Sequence, residues 1–456
     1  MNWDHAGHDL GSHRMAWPIL VATLVSIGAC ARSAQLSVDA GTGPDPVLPS
    51  PRTSLIPVAK VAKATGWSVE GRPHGAPGTS VVAMASGLQH PRWLYVMPNG
   101  DVLVAETNAP VRPDEGKGLR GWLMKKTMKR AGSATPSANR ITLLRDGDGD
   151  HVAELRTVFL AGLNSPFGMA LVGADFYVAN TDALMRYHYD ANATSITQPG
   201  VKVTDLPAGP RNHHWTKNVI ANAQGTRLYV TVGSNSNAGE NGIDSEAERA
   251  AVWEVDPATG KHRVFASGLR NPVGLAWEPH THALWVAVNE RDELGSDLVP
   301  DYMTGLVDGG FYGFPFSYFG GHVDERVKPA RPDLVAQALV PSYALGPHTA
   351  SLGLASAAGA TLPPPFSSGM FVGQHGSWNR IPPSGYKVVF VPFVDGRPAG
   401  RPIDVVTGFL TERGEAQGRP VGVAIDKTGS LLVADDVGNA VWTVSAAGSA
   451  PSAIRN

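Results

Sequence analysis

Four arginines and a pair of adjacent histidines carry the clearest chemistry in this chain. The arginines are Arg92, Arg270, Arg380 and Arg419, with Asn271 beside Arg270 and His375 five residues before Arg380. A guanidinium grips a carboxylate or phosphate through paired N–H groups, so four of them arriving at one point would imply a polyanionic ligand. The histidines, His213 and His214, stand in the run Arg211-Asn-His-His-Trp-Thr-Lys-Asn218. Beside a bound oxidant, an imidazole with an ordinary pKa near 6.5 is suited to take a proton from an alcohol. If the two lie in a strand they point to opposite faces, and at most one addresses a site. The segment from Asn289 to Asp301 adds five carboxylates, among them Glu290, Asp292 and Asp297. An oxygen-rich loop of this kind suits Ca²⁺ better than Zn²⁺. The alternative is a solvated acidic loop.

The rest of the composition narrows the classes. Of 456 residues, 38 are Lys or Arg and 40 are Asp or Glu, for a net charge of −2, so no global cationic field attracts nucleic acid or an anionic membrane. With 52 Gly and 36 Pro but only 17% charged residues, a helical bundle or coiled coil is disfavoured and a globular chain with many tight turns is favoured. The single cysteine, Cys30, excludes an intramolecular disulfide and any multi-cysteine metal site. It closes an apolar run from Met15 to Ala29 that follows Arg14, too short for a comfortable membrane span and the right length for a secretory signal. The ending Ile27-Gly-Ala-Cys30 resembles a bacterial lipobox, whose cysteine is lipidated. The expected address is therefore the periplasm of a Gram-negative bacterium, with the chain anchored to the membrane as a lipoprotein, the alternatives being a signal that is simply cleaved or an uncleaved anchor. Residues 1–30 read as the signal, 31–66 as a flexible Pro/Ser/Gly-rich tether and 448–456 as a tail.

These side chains need a scaffold that brings distant segments to one point, and a repeat supplies it. Gly-Leu-x-x-Pro followed by a β-rich run ending near an acid or amide occurs at Gly87–Pro91 with Glu106, at Gly162–Pro166 with Asn180, and at Gly268–Pro272 with Glu290. It recurs as Gly418-Arg-Pro420 with Asp436, and in degenerate form from Asn212 to Gly233 and from His348 to Gln374. Short β-branched and aromatic runs separated by Asn-Gly and Asp-Gly turns predict four strands per unit. Six units predict an all-β, six-bladed β-propeller over residues 67–447. Each blade then delivers its loop residues to one mouth of the central channel.

Two further segments have plainer readings. The basic stretch holding Lys117, Arg120, Lys125, Lys126, Lys129 and Arg130 interrupts the first blade boundary and reads as a solvated surface helix. Asp146-Gly-Asp-Gly-Asp150 resembles the start of a calcium loop, but His151 and Thr157 stand where an EF-hand needs Gly and Glu, so a tight turn is expected.

Taken in order, these motifs resemble the soluble quinoprotein glucose/sorbosone dehydrogenase family, its sorbosone and pyranose dehydrogenase branch above all. The carriers are Pro91-Arg-Trp-Leu, Asn139-Arg-Ile-Thr-Leu-Leu-Arg-Asp146, His213-His-Trp-Thr-Lys217, Gly268-Leu-Arg-Asn-Pro272, Asn289-Glu-Arg-Asp-Glu-Leu294, His375-Gly-Ser-Trp-Asn-Arg380 and Gly418-Arg-Pro420. The resemblance implies pyrroloquinoline quinone (PQQ) and Ca²⁺ as cofactors and a sugar as substrate. It implies His213 or His214 as base, Arg270 and Asn271 at the reactive carbonyl, and Arg92, His375, Arg380 and Arg419 around the quinone carboxylates. The loop holding Glu290, Asp292 and Asp297 would hold Ca²⁺. Trp215-Thr-Lys217 replaces the glycines that follow the histidine in glucose enzymes, which puts glucose in doubt as substrate. No Cys-x-x-Cys-His haem motif is present, so electrons would leave to a separate periplasmic or membrane acceptor. The rival readings are a non-catalytic propeller that binds glycans or proteins, and a Ca²⁺-dependent lactonase-like hydrolase.

Overall fold

Turn formers at short intervals cut this chain into strands too short to stand alone, and the strands are buried by stacking sheet against sheet. The computed structural model describes residues 33–53, 60–111, 130–133 and 135–448. It is the expected six-bladed all-β propeller. The inner strands of the blades are Pro91–Val96, Met169–Val172, Val219–Ala221, Asn271–Trp277, Ser351–Ser356 and Pro420–Ile425. Each pairs antiparallel with the strand that follows it. The last blade takes its outer strand, Thr79–Ala85, from the start of the propeller, so the ring is closed by backbone hydrogen bonds.

Below the mouth the axis is filled. Trp93, Phe167, Trp215, Val273, Leu352 and Val421, one from each blade, are buried in a single apolar cluster. Their close approach depends on glycines: a Cβ on Gly274 would lie 2.6 Å from Leu354 Cβ, and one on Gly422 would lie 2.8 Å from the Arg92 carbonyl oxygen. Four inner strands carry a register shift near their first residues, between Pro91 and Trp93, Pro272 and Leu275, Ser351 and Gly353, and Pro420 and Val423. Such bulges re-aim side chains at the rim of a sheet. In the first blade the residue so released is Arg92.

Three buried acids on the second and third strands are structural ties. Asp435 accepts the Arg419 backbone N–H at 2.7 Å, Glu106 accepts that of Gln89, and Asp301 accepts that of Glu290 at 2.9 Å. Glu106 and Asp435 fasten their blades' second strands to the loops that enter the inner strands, and Asp301, on the fourth blade's third strand, fastens the loop that leaves the second.

Two features differ from the sequence reading. Residues 33–53 lie against the propeller instead of hanging as a tether: Thr42–Gly43 adds a fifth strand to the fourth blade, pairing with Leu345 and Ala344. Richness in Pro, Ser, Gly and Thr suggested a tether, but strand pairing and hydrogen bonds hold this segment, and Leu48 packs against a buried apolar cluster. The insertion after Glu106 falls between the second and third strands of the first blade, not at a blade boundary. Its basic residues other than Arg130 lie outside the described residues, as do the signal and Cys30.

Candidate active site at the propeller mouth

The histidines sit in the loop that enters the third blade, so the alternation of a strand does not apply to them. Both rings turn the same way and meet edge to face, with centroids 4.6 Å apart. The His214 backbone N–H donates to Ser234 O, and its ring Nδ1 lies 3.0 Å from Ser234 O and 2.9 Å from Ser234 Oγ, which fixes the ring plane. His213 donates its backbone N–H to Asn235 Oδ1 at 3.2 Å. Gly233 separates His214 from Asn271: a Cβ there would lie 2.5 Å from both Asn271 Oδ1 and His214 Cβ. His214 and Asn271 therefore share one wall.

Arg270 is buried and almost fully committed. Its Nε donates to Asn237 O at 3.0 Å, Nη1 to Asn289 O and Glu290 O at 3.0 and 2.6 Å, and Nη2 to Asn237 Oδ1 at 2.9 Å. It braces the wall on which Asn271 stands. Asn271 Oδ1 itself is buried with no hydrogen-bond partner. Asp292, 3.8 Å from Arg270, meets His348 Nδ1 at 3.3 Å and accepts from Asn379. Burial opposes the charged form of His348, yet the Asp292 carboxylate outweighs it and raises the imidazole's pKa.

Opposite, three basic groups converge on one carboxylate. Asp436 Oδ2 lies 2.9 Å from Arg92 Nη1, 2.9 Å from His375 Nε2 and 3.5 Å from His90 Nε2, while His90 Nδ1 lies 3.0 Å from the Asp436 backbone carbonyl oxygen. Burial works against the Asp436 charge, but His375, His90 and Arg92 hold its pKa well below the usual carboxylate range. His375 is pushed down to about 4, first by burial and then by Arg419 and Arg92 in spite of Asp436. Arg419, 4% exposed, donates Nη2 to Gly376 O at 3.1 Å and to Tyr386 Oη at 3.0 Å, and its guanidinium lies over the Tyr386 ring. Among the described residues no carboxylate lies within 4.0 Å of it. Arg92 Nε, Arg419 Nε and His90 Nε2 are buried without hydrogen-bond partners.

These contacts close a ring around the mouth. Arg92 lies 5.9 Å from the Trp215 ring centroid, next to His214, which meets Asn271 across Gly233. Arg270 leads to Asp292, Asp292 to Asn379, and that loop to His375 and Asp436, which returns to Arg92. Of the residues singled out in the sequence, Arg92, His213, His214, Arg270, Asn271, Asp292, His375 and Arg419 belong to this ring.

Three others do not. Arg380 donates to Ser296 O, Pro382 O and Leu36 O, and the Asp297 carboxylate accepts the backbone N–H groups of Gln35 and Leu36. Both residues fasten the N-terminal segment to the rim rather than facing a ligand. Glu290 turns its carboxylate to the buried Arg291, whose Nε lies at 3.0 Å. Glu290, Asp292 and Asp297 are thus each satisfied by protein cations or N–H groups and do not converge. Their carboxylates do not fit a Ca²⁺ ligand set. Among the described residues, the one group of three or more His, Cys, Asp or Glu side chains with ligand atoms all within 4.8 Å of one another is Asp146, Asp148, Asp150 and Glu154, on a largely exposed turn. Sequence reading missed Asp436, Asn237, His348 and Asn379. Asp436 was visible as the acid closing a repeat, His348 as the start of a degenerate unit and Asn379 within the His375–Arg380 motif, but nothing local tied them or Asn237 to a site.

The profile of the TrAA12-like family matches residues 73–301 and 335–447. The chain belongs to that family. A protein of Coprinopsis cinerea named as a pyrroloquinoline quinone-dependent pyranose dehydrogenase is 24% identical over 430 residues, covering 81% of this chain and 54% of that one. An uncharacterised Borreliella burgdorferi protein is 28% identical over 243 residues, or 52% of this chain and 62% of its own length. The chain spans about half the length of the pyranose dehydrogenase it matches. Among solved structures, the PQQ domain of the C. cinerea pyranose dehydrogenase in its holo form superposes with a TM-score of 0.65 at 20% identity, covering 84% of this chain and 100% of that one. The Trichoderma reesei family AA12 enzyme gives 0.66 at 17% identity, covering 87% and 100%. At these identities the structural likeness establishes the six-bladed fold of this TrAA12-like protein.

Proposed function

We propose that this chain oxidises a sugar hydroxyl carbon using pyrroloquinoline quinone held at the propeller mouth. The observation that carries the reading is Arg419: a buried guanidinium with an unmatched Nε and no carboxylate within 4.0 Å among the described residues, on a wall shared with the unmatched Nε of Arg92. Leaving such donors unsatisfied is costly, and a ligand bearing several carboxylates would satisfy them. The names of the C. cinerea relative and of the PQQ-bound Streptomyces coelicolor aldose sugar dehydrogenase, similar in fold at a TM-score of 0.52, support the same cofactor class.

When bound, the quinone would supply a two-electron acceptor for the hydride leaving the substrate carbon. Arg419 and Arg92 would hold its carboxylates, with His90 and His375 beside them. Asn271, whose amide offers a donor or an acceptor according to its orientation, would face the polar edge opposite. His214, with its ring oriented by Ser234, or His213 against it, would take the hydroxyl proton. Arg270 has four of its five N–H groups committed to Asn237, Asn289 and Glu290, so its part is to hold Asn271 in place rather than to touch the reacting oxygen. The hydrolase reading loses support because the carboxylates it needs are already paired.

The address belongs to the same proposal: a periplasmic lipoprotein anchored through Cys30, passing electrons to a separate acceptor. The Met15–Ala29 run and its closing cysteine support it. Radiolabelled palmitate incorporation into wild type but not Cys30→Ala tests the anchor. For the activity, the protein is titrated with PQQ, with and without Ca²⁺, and dye reduction is followed over a panel of pyranoses. Saturable binding with sugar-dependent reduction is expected; no quinone binding under any condition returns the chain to the binding-propeller reading.

A further inference from the structure

We propose that Arg249, a residue outside the mouth, is the positioning residue of the histidine loop: its buried guanidinium joins Asn212, where that loop begins, to Gly233, against which His214 rests. This rests on the assignment of the base to His213 or His214 made above.

Arg249 lies just before the strand Ala251–Val255 and is 7% exposed. Its Nη1 donates to Gly233 O at 3.2 Å and to Asn212 Oδ1 at 3.5 Å, and its Nη2 to Ala208 O at 2.6 Å and Asn212 Oδ1 at 3.4 Å. Among the described residues it has no carboxylate within 4.0 Å. The nearby Glu246 instead accepts from Asn235 N at 2.8 Å and from Ser236 Oγ. The guanidinium is therefore a bridge between fixed oxygens, a task for a planar fork with several donors rather than a point charge.

The bridge brackets the histidines on both sides. Asn212 adopts a left-handed conformation, φ 39°, which needs support from its surroundings. Arg249 holds its Oδ1, and its Nδ2 donates to Thr181 Oγ1 at 2.8 Å, which in turn donates to Trp215 O at 2.9 Å. Thus residues 212 and 215 are pinned on either side of His213 and His214. The other end of the bridge, Gly233, precedes Ser234, the residue that orients the His214 ring. Losing the guanidinium releases both supports at once. A cavity of about 290 Å³ is lined by Arg249 together with Glu246, Phe311, Phe314 and Pro315.

That cavity provides the test, because truncating Arg249 enlarges a space that guanidinium ion can enter. In the ligand-free protein, the imidazole ¹⁵N spectra and pH titrations of His213 and His214 are compared for wild type, Arg249→Ala and Arg249→Lys. The spectra should change in both variants, and guanidinium at non-denaturing concentration should move those of Arg249→Ala back, while potassium chloride and urea do not. With quinone loaded, kcat should fall roughly 10- to 100-fold, as about 1 Å of misplacement can produce, with the quinone Kd within about threefold and the acid limb of the pH profile displaced. Histidine spectra and a pH profile unchanged in Arg249→Lys, or in Arg249→Ala where it folds, overturn the proposal. Altered apo spectra in a chain whose wild type never turns over a sugar leave the positioning role standing and remove the dehydrogenase reading.

Discussion

Asp436 Oδ2 stands 2.9 Å from Arg92 Nη1 and 2.9 Å from His375 Nε2, so one buried carboxylate from the last blade joins a cation of the first to an imidazole of the fifth. This arrangement compensates Arg92 but leaves Arg419 without a counter-charge. The imbalance is what the proposed quinone carboxylates would relieve.

Arg419 should therefore matter more to the ligand than to the fold. Arg419→Ala removes a buried cation with one unmatched donor, so the melting temperature of the ligand-free protein should be nearly unchanged or should rise. The PQQ affinity should fall about 10- to 100-fold, the worth of about 1.5–3 kcal/mol for a charge-assisted hydrogen bond. Calorimetric titration and a thermal melt check the two halves together. A large loss of stability with unchanged affinity would make Arg419 a structural residue.

His375 predicts a pH dependence. Its folded pKa, about 4, lies below the ordinary 6.5, so the unfolded chain binds the extra proton between those values. The stability from keeping this imidazole neutral is complete above pH 6.5 and is lost as pH falls toward about 4, up to roughly 3 kcal/mol. Asp301, pushed up to about 7 by burial, acts in the opposite direction over the same range, so the wild-type curve alone does not isolate His375. The difference between wild type and His375→Gln does: the variant's deficit should be larger at pH 7 than at pH 4.5. Equal deficits at both pH values would contradict the depressed imidazole.

The fold was legible because a propeller repeats its instructions. The Gly-Leu-x-x-Pro turn and the apolar run after it mark blades at Pro91, Pro166 and Pro272, its shortened form Gly418-Arg-Pro420 marks the last, and the inward turn of Arg92 follows from the bulge beside Pro91. Partners far apart in sequence were not legible. Arg380 and Asp297 had the residue types of a ligand site, but their partners are Leu36 and Gln35, more than 250 positions away. The shared direction of His213 and His214 was hidden because strand alternation was applied to what is a loop.

Arg380 and Asp297 should accordingly behave as stability residues. Arg380→Ala removes donors from Ser296 O, Pro382 O and Leu36 O and leaves Asp297 without its nearby cation. A loss of about 3–5 kcal/mol is expected for a broken buried ionic contact. Limited proteolysis should then cut within residues 33–53, at sites protected in wild type. If Arg380 were a cofactor ligand, the affinity for PQQ would collapse while the melt and the digestion pattern stayed as in wild type.

Glu290 separates a metal role from a packing role. Its carboxylate is 1% exposed and meets Arg291, which is fully buried and also paired with Asp324 at 3.1 Å. Glu290→Gln keeps the shape and removes the charge, leaving Arg291 with Asp324, itself shared with Arg326, as its remaining counter-ion. The melting temperature should drop, by an amount corresponding to about 2–4 kcal/mol. The dependence of dye reduction on added Ca²⁺, measured after chelation and readdition, should be the same as in wild type. A Ca²⁺ requirement that shifts to higher concentration in Glu290→Gln, with an unchanged melt, would restore this carboxylate to a metal site and reverse the pairing argued here.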